Sequence, residues 1–109
     1  MSQSTPIREV WTTVPDGEVA RQLMQGILEN KLAACVNILT GLESAYWWEG
    51  KIEHAHECLL ICKTTVKKTE ALQAWILAHH PYECPGVITL PVVAGHDDYL
   101  RWVEKTVTQ

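Results

Sequence analysis

The segment HHPYECP, residues 79–85, concentrates imidazole, phenol, carboxylate and thiol groups within one short stretch. Imidazole and thiolate together suit copper or zinc. Adjacent residues diverge by about 100° on a helix and face opposite ways on a strand. His79 and His80 would therefore converge on a metal only at a helix end bent by Pro81. The segment fits three interpretations: a metal site, a small-molecule pocket, or a helix stop beside a tight loop.

His79 also has a purely structural interpretation. It continues the apolar stripe of Leu72, Trp75 and Ile76 at helical spacing. At the C-terminus of a helix its positive charge would complement the helix dipole. The same spacing therefore predicts a histidine at the edge of the core, and the metal and core interpretations both stay open.

A second group of possible metal ligands is His54, His56 and Cys58. On a strand these alternate residues share one face, with about 6.6 Å between successive members. Imidazole and thiolate groups would again suit copper or zinc. Ile52 and Leu60 lie on the same face, however, so the alternative is an exposed or interface strand that carries titratable side chains.

Cysteine chemistry of the catalytic kind is less well supported. Cys84 follows His79 and His80, as a Cys–His nucleophile pair would require, but no third group that would orient the histidine is identifiable. The chain also lacks the glycine-rich patterns GxGxxG and GxxxxGK[ST] that bind phosphates. We therefore interpret Cys84 as a structural thiol and predict that the protein is not an enzyme.

Composition limits the partners that we expect. The 109 residues predict a single domain, 1–109, with residues 1–5 loosely held. The net charge of -4, without a long basic run, argues against nucleic acid as a partner. No apolar stretch approaches membrane-spanning length, and the N-terminus has no signal-peptide pattern. We expect a cytoplasmic protein with reduced cysteines and no membrane partner.

The elements that would position these residues follow from periodicity and turn signals. A strand over residues 7–14 precedes a helix over 17–30, for which Asp16 is the expected N-cap. Extended structure over 32–48 is interrupted at Gly41, which marks a bulge. Glu49 and Gly50 predict a hairpin turn into a strand over 51–64.

The second half of the chain repeats the alternation. Thr65 or Val66 opens a second helix that Pro81 stops. The last strand, 87–94, contains Pro91, which places it at a sheet edge or at a bulge. Asp97 and Asp98 favour the start of a terminal helix over 99–107. This order predicts an α+β fold, the ferredoxin-like split βαβ sandwich with a long β-hairpin and a C-terminal helix.

The hairpin also predicts an oligomer. Its strands are about twice the usual five or six residues, and two helices cannot cover them. Trp47 and Trp48 point to opposite faces at the turn, so one layer cannot hide both. A partner subunit with an interface rich in aromatic residues is the simplest cover.

Seven motifs spread over the chain resemble the CutA divalent-cation tolerance family. They are TTVPD (12–16), KLAACVNI (31–38), SAYWWEGKIE (44–53), LICKTT (60–65), HHPYECP (79–85), LPV (90–92) and YLRW (99–102). The resemblance implies a PII-like homotrimer in which long hairpins wrap neighbouring subunits. It also implies binding of divalent metal ions, Cu(II) in particular, and a role in the response to them.

The same resemblance assigns ligands. The family's proposed copper site combines the two histidines of the HHPY motif, here His79 and His80, with a cysteine on the first strand. Thr12 occupies the position of that cysteine, and a hydroxyl is a poor copper ligand compared with a thiolate. The three-ligand site is thus incomplete, and His54, His56 and Cys58 remain a possible second site.

A different function follows from the resemblance to PII proteins. A sensory or scaffold trimer would bind a small molecule or a partner protein in clefts between subunits. This hypothesis rests on similarity of fold. The residues that would line the cleft are Tyr46, Trp48, Glu57, Lys63, Tyr82 and Glu83.

Overall fold

The computed structural model describes residues 5–108, which form a four-stranded antiparallel sheet with helices packed on it. The elements in chain order are β1 (Ile7–Val14), α1 (Gly17–Glu29), β2 (Cys35–Trp48), β3 (Lys51–Thr65), a 3-10 turn (Val66–Lys68), α2 (Thr69–His79), β4 (Val87–Pro91) and α3 (Asp97–Thr108). The strand order is β2-β3-β1-β4. This is the predicted ferredoxin-like split βαβ arrangement with a long hairpin and a C-terminal helix.

Local signals place the first helix and the hairpin turn as predicted. The Asp16 carboxylate accepts a hydrogen bond from the Val19 amide at 2.9 Å, so Asp16 is the N-cap of α1. Glu49 and Gly50 both have positive φ, 52° and 80°. Two consecutive residues of this kind form the tight turn whose twist matches the flanking strands.

Four predicted boundaries were wrong, each by a few residues. Strand β2 begins at Cys35 instead of residue 32. The second helix is preceded by a 3-10 turn, so α2 itself begins at Thr69. The last strand ends at Pro91 instead of residue 94, and it lies at the edge of the sheet, as the proline predicted. The terminal helix already begins at Asp97.

The predicted loose start falls mostly on residues 1–4, which lie outside the described residues. Thr5 is an exception to that prediction, since its amide and its hydroxyl both donate to the Val92 carbonyl, at 3.1 and 2.7 Å. Among residues 5–108, no helix has the length and apolarity needed to cross a membrane.

The two faces of the sheet are covered differently. The main hydrophobic cluster joins β1 and β3 to α1 and α2, through residues that include Val10, Val14, Ala20, Leu23, Ile27, Leu60, Cys62, Leu72 and Ile76. Helix α3 contacts β1 and β3, and its buried Val103 and Val107 lie outside that cluster. So does Ile7, which strand alternation places on the face opposite Val10. Helix α3 thus covers one end of the second face.

The hairpin extends well beyond the rest of the sheet. Strand β3 pairs with β1 only from Cys58 to Thr65, whereas its first seven residues pair with β2 alone. We call residues 42–57 the arm, and residues 58–65 of β3 the body segment. A β-bulge between Leu39 and Leu42, containing Gly41 at φ 82°, joins the two parts of the hairpin. The predicted bulge is thereby confirmed.

The bulge decides which side chains of the arm share a face. Leu39 lies opposite Leu59, and Leu42 lies opposite Glu57. Strand β2 therefore carries one extra residue, so its alternation changes from odd to even positions on that face. As a consequence Tyr46 and Trp48 share a face with Glu57.

Candidate functional site

His79 ends α2 with an exposed side chain. Its ring stacks on the Trp75 ring, with 4.0 Å between centroids and 20° between planes. Its Nδ1 lies 2.8 Å from the Trp75 carbonyl oxygen and must donate there, because a carbonyl only accepts. Its packing partner Trp75 is partly buried and packs against the main hydrophobic cluster, so His79 lies at the edge of the core, as its spacing predicted. In this tautomer Nε2 is the nitrogen with a free lone pair.

His80 is held quite differently, although it is the next residue. Its Nε2 lies 2.8 Å from the Thr13 carbonyl oxygen on β1, to which it must donate. Its Nδ1 accepts a hydrogen bond from the Tyr82 amide at 3.2 Å. Both ring nitrogens are engaged, so a metal could bind His80 only by replacing one of these hydrogen bonds. His80 instead fixes the turn from α2 into the following loop.

The second predicted metal site is divided between two environments. His54 and His56 lie exposed on the arm, opposite Ala45 and Glu43. Cys58 is buried in the main hydrophobic cluster. Among residues 5–108, no group of three or more His, Cys, Asp or Glu side chains is arranged to hold a metal ion. Neither His79 with His80 nor His54 with His56 and Cys58 therefore forms such a group.

Thr12 lies inside the fold instead of at a metal site. It is 2% exposed, pairs with Leu60 across the sheet, and its hydroxyl has no hydrogen-bond partner within the described residues. A hydroxyl is a weak ligand for copper. The residues present therefore do not fit the three-ligand copper site that the resemblance implies.

A cavity of about 490 Å³ lies beyond the end of β1, where the arm leaves the sheet. This volume is within the range of small-molecule pockets. The arm, the end of β1 and the loop after α2 build its walls. The lining residues are Thr13, Ser44, Ala45, Tyr46, Trp48, Glu57, Tyr82, Glu83, Cys84 and Gly86.

A hydrogen bond between two of these residues organises the pocket. The Tyr82 hydroxyl donates to Glu57 Oε2 at 2.7 Å, and Glu57 is only 8% exposed. Burial raises the pKa of the Tyr82 phenol, and the hydrogen bond and negative charge of Glu57 raise it further. Tyr82 consequently stays a donor to Glu57 Oε2, and this bond leaves Oε1 of Glu57 for another partner.

Five of the six residues predicted for a cleft meet in this pocket: Tyr46, Trp48, Glu57, Tyr82 and Glu83. The sixth, Lys63, does not line it. Lys63 lies in the body segment, opposite Glu9 on one side and Cys35 on the other, and its ammonium contacts the Asn37 side chain. Six positions separate Lys63 from Glu57 along β3, so the two lie on the same face but far apart.

Sequence reasoning missed the other half of the lining, Thr13, Ser44, Ala45, Cys84 and Gly86. The available signal was the bulge at Gly41. Counting one extra residue in β2 from that point puts Ser44, Tyr46 and Trp48 on the Glu57 face.

Comparisons with known proteins agree on one family. The family model described as CutA1 divalent ion tolerance protein matches residues 9–106. Protein CutA 1, chloroplastic, from rice is 43% identical over 108 residues, covering 99% of this chain and 61% of the rice protein. The divalent-cation tolerance protein CutA of Escherichia coli is 41% identical over 106 residues, covering 97% and 95%.

A solved structure shows that the likeness extends to the fold. The crystal structure of CutA1 from rice superposes with a TM-score of 0.90 at 44% identity, covering 94% of each chain. The chain spans less than two thirds of the rice chloroplastic protein but nearly all of the bacterial one.

Proposed function

The chain belongs to the CutA1 divalent ion tolerance protein family, and we propose that it contributes to tolerance of divalent cations, copper among them, as a cytoplasmic homotrimer. The observation that carries this proposal is the match to the family over nearly the whole chain. The family name denotes tolerance of metal ions and no catalysed reaction, so the proposed role is not enzymatic.

The arm supports the proposed homotrimer. A two-stranded ribbon is only marginally stable alone in water. Both of its faces carry large apolar side chains: Trp47 (72% exposed) opposite Ile52 (55% exposed) on one face, and Tyr46 and Trp48 on the other. Such surfaces mark interaction sites. A second copy of the chain would cover them, and the count of three comes from the resemblance to PII-like trimers.

The cysteines support the proposed cytoplasmic location. Cys35, Cys58, Cys62 and Cys84 are all unpaired, as expected in a reducing compartment. The location differs within the family, since the rice relative is named as chloroplastic.

Metal binding at the HHPY turn is proposed to proceed through His79. Its Nε2 is exposed and available, whereas both nitrogens of His80 are used within the fold. Since a single imidazole provides one ligand and Thr12 provides none, we expect weak binding of Cu(II), completed by water or by a neighbouring subunit. Exposed His54 and His56 form a second, equally open pair of imidazoles.

Calorimetric titration of Cu(II) and Zn(II) into the metal-free protein tests this assignment. We expect His79→Ala to weaken Cu(II) binding at least tenfold, and His96→Ala, which removes an exposed histidine elsewhere, to change it less than twofold. Unchanged binding in His79→Ala combined with loss in His54→Ala/His56→Ala would move the site to the arm. Binding that requires His80 would contradict the assignment altogether.

A second candidate function is a PII-like sensor or scaffold, and the pocket at Glu57 and Tyr82 favours it. The pocket is already formed in one subunit, and the arm that builds its wall is the segment expected to contact a neighbour. A ligand there would therefore influence how subunits meet. A thermal-shift screen of cellular metabolites tests this function. Stabilisation that disappears in Glu57→Gln would support it, and no shift from any compound would count against it.

A further inference from the structure

Glu57 is a buried carboxylate without a positively charged neighbour. It is 8% exposed and accepts one hydrogen bond, from Tyr82. The ion pairs within residues 5–108 are those of Arg101 with Asp97 and Asp98, on the surface of α3. Burying an ionised carboxylate is costly unless a cation or several hydrogen bonds compensate for the lost water. Glu57 thus lacks the cation that such a position normally has.

The walls around Glu57 suit an organic cation. Tyr46, Trp48 and Tyr82 present aromatic rings to the cavity, and aromatic faces attract alkylammonium groups. Glu83 adds a second carboxylate at the exposed side. The lining contains no Lys, Arg or His, so nothing in it would attract a phosphate or a carboxylate ligand.

The same lining is poorly suited to a metal ion. Glu57, Glu83 and Cys84 all line the cavity, but they are not grouped closely enough to hold a metal together. A volume of about 490 Å³ also leaves room for an apolar group beyond the charge. An ammonium ion with a hydrocarbon stem would use both the carboxylate and the aromatic walls.

We propose that this pocket binds a primary alkylammonium ion, whose N–H groups donate to Glu57 and whose stem packs against Tyr46 and Trp48. The inference deepens the sensor function proposed above and rests on it, since it names the class of small molecule that the sensor would detect. Tyr82 acts as a positioning residue, because its hydroxyl holds Glu57 Oε2 and leaves Oε1 directed to the ligand.

Calorimetry with three probes of equal length tests the charge requirement. The full-length protein is titrated with hexylammonium chloride, with the neutral hexan-1-ol and with the anionic hexanoate. We expect hexylammonium to bind at least tenfold more tightly than hexan-1-ol, and hexanoate not to bind. Glu57→Gln, which keeps the shape and removes the charge, should weaken hexylammonium binding at least tenfold and change hexan-1-ol binding less than threefold.

Two further variants separate a direct contact from a structural effect. Glu83→Gln is the matched control, and its exposed carboxylate should contribute a smaller factor than Glu57. Tyr82→Phe keeps the ring and removes the hydroxyl; we expect a loss of threefold to tenfold with an unchanged circular-dichroism spectrum. Equal effects of Glu83→Gln and Glu57→Gln would overturn the role of the buried carboxylate.

The remaining outcomes distinguish this inference from the function on which it rests. If hexan-1-ol binds as tightly as hexylammonium, the pocket does not require a positive charge. That result would overturn the proposed ligand class but would still agree with a small-molecule sensor. No binding of any probe, together with no shift in the metabolite screen, would overturn both. If Glu57→Gln dissociates the oligomer in a sedimentation experiment, a basic side chain of a second copy occupies the pocket. That result would overturn the proposal of a diffusible ligand.

Discussion

The body segment and the arm are successive parts of one strand, yet their environments are opposite. In the body segment, Cys58, Leu60, Cys62 and Thr64 are all buried, and β1 and β2 flank the strand on both edges. In the arm, β3 has only β2 beside it, and Ile52 is more than half exposed.

This contrast separates stability from interaction. The body segment is stabilised by contacts within its own subunit, chiefly with α1 and α2. The arm has large apolar side chains and few such contacts, so the proposed homotrimer would have to stabilise it. The pocket lies at the boundary between them, where Glu57 is the last arm residue before the body segment.

The largest expected effect comes from shortening one apolar side chain in each part. Leu60→Ala should lower the free energy of unfolding by about 2–5 kcal/mol, because it opens a cavity in a fully buried site. Ile52→Ala should cost less than about 1 kcal/mol within a subunit and act mainly on assembly. Urea denaturation followed by tryptophan fluorescence at several protein concentrations measures both, since an assembly effect depends on concentration. If both variants lose the same free energy of unfolding at every protein concentration, the body segment and the arm do not differ in the way proposed.

A smaller effect is expected at the junction, where Gly41 has a φ of 82°. A side chain disfavours this left-handed conformation, so Gly41→Ala should lower the free energy of unfolding by about 1–2 kcal/mol. Gly86→Ala is the matched control: the added Cβ would meet nothing within 4 Å, and we expect it to be neutral or slightly stabilising. A neutral Gly41→Ala would show that the bulge does not need a glycine.

The smallest expected effect is on the pH dependence of stability, and it tests whether water is excluded from the body segment. Burial raises the pKa of the Cys62 thiol from 9.0 to about 12. Because the folded pKa is the higher one, the stabilisation is complete below pH 9 and is lost as the pH rises from there towards 12. Wild type should lose about 1.4 kcal/mol from this thiol by pH 10.

Guanidinium denaturation between pH 8 and pH 10 measures this loss. In Cys62→Ala, stability should depend less steeply on pH than in wild type, even though the variant is less stable throughout. Cys84→Ala, which removes an exposed thiol, should keep the wild-type slope. An unchanged slope in Cys62→Ala would mean that water reaches the body segment.

Prediction from sequence succeeded where the cause was local. Asp16 caps α1 with its own side chain, Glu49 and Gly50 turn the hairpin, and Gly41 forms the bulge. Each of these outcomes depends on a few adjacent residues and their backbone preferences. The order of these elements extended the prediction to the fold, the ferredoxin-like split βαβ arrangement that the structure has.

Prediction was weakest where partners come from distant parts of the chain. His79 and His80 have the same side chain, but the Thr13 carbonyl, 67 residues away, engages only His80. Similarly, Lys63 seemed as suitable for the cleft as Glu57. Lys63, however, pairs with Glu9 of β1, whereas Glu57 lies one residue beyond the end of that pairing. Such differences depend on which backbone groups the packed sheet and helices bring together.

By itself, the sequence determined the secondary-structure elements, the turn chemistry, the family and half of the residues that line the pocket, because these depend on short-range preferences and on motifs. Only the tertiary structure decided that Glu57 is buried against Tyr82 without a cation, that Thr12 is buried, and that His79 keeps one ring nitrogen free while His80 keeps none. Burial and hydrogen-bond partners arise when segments far apart in the chain pack together, and that packing fixes which polar groups keep contact with water.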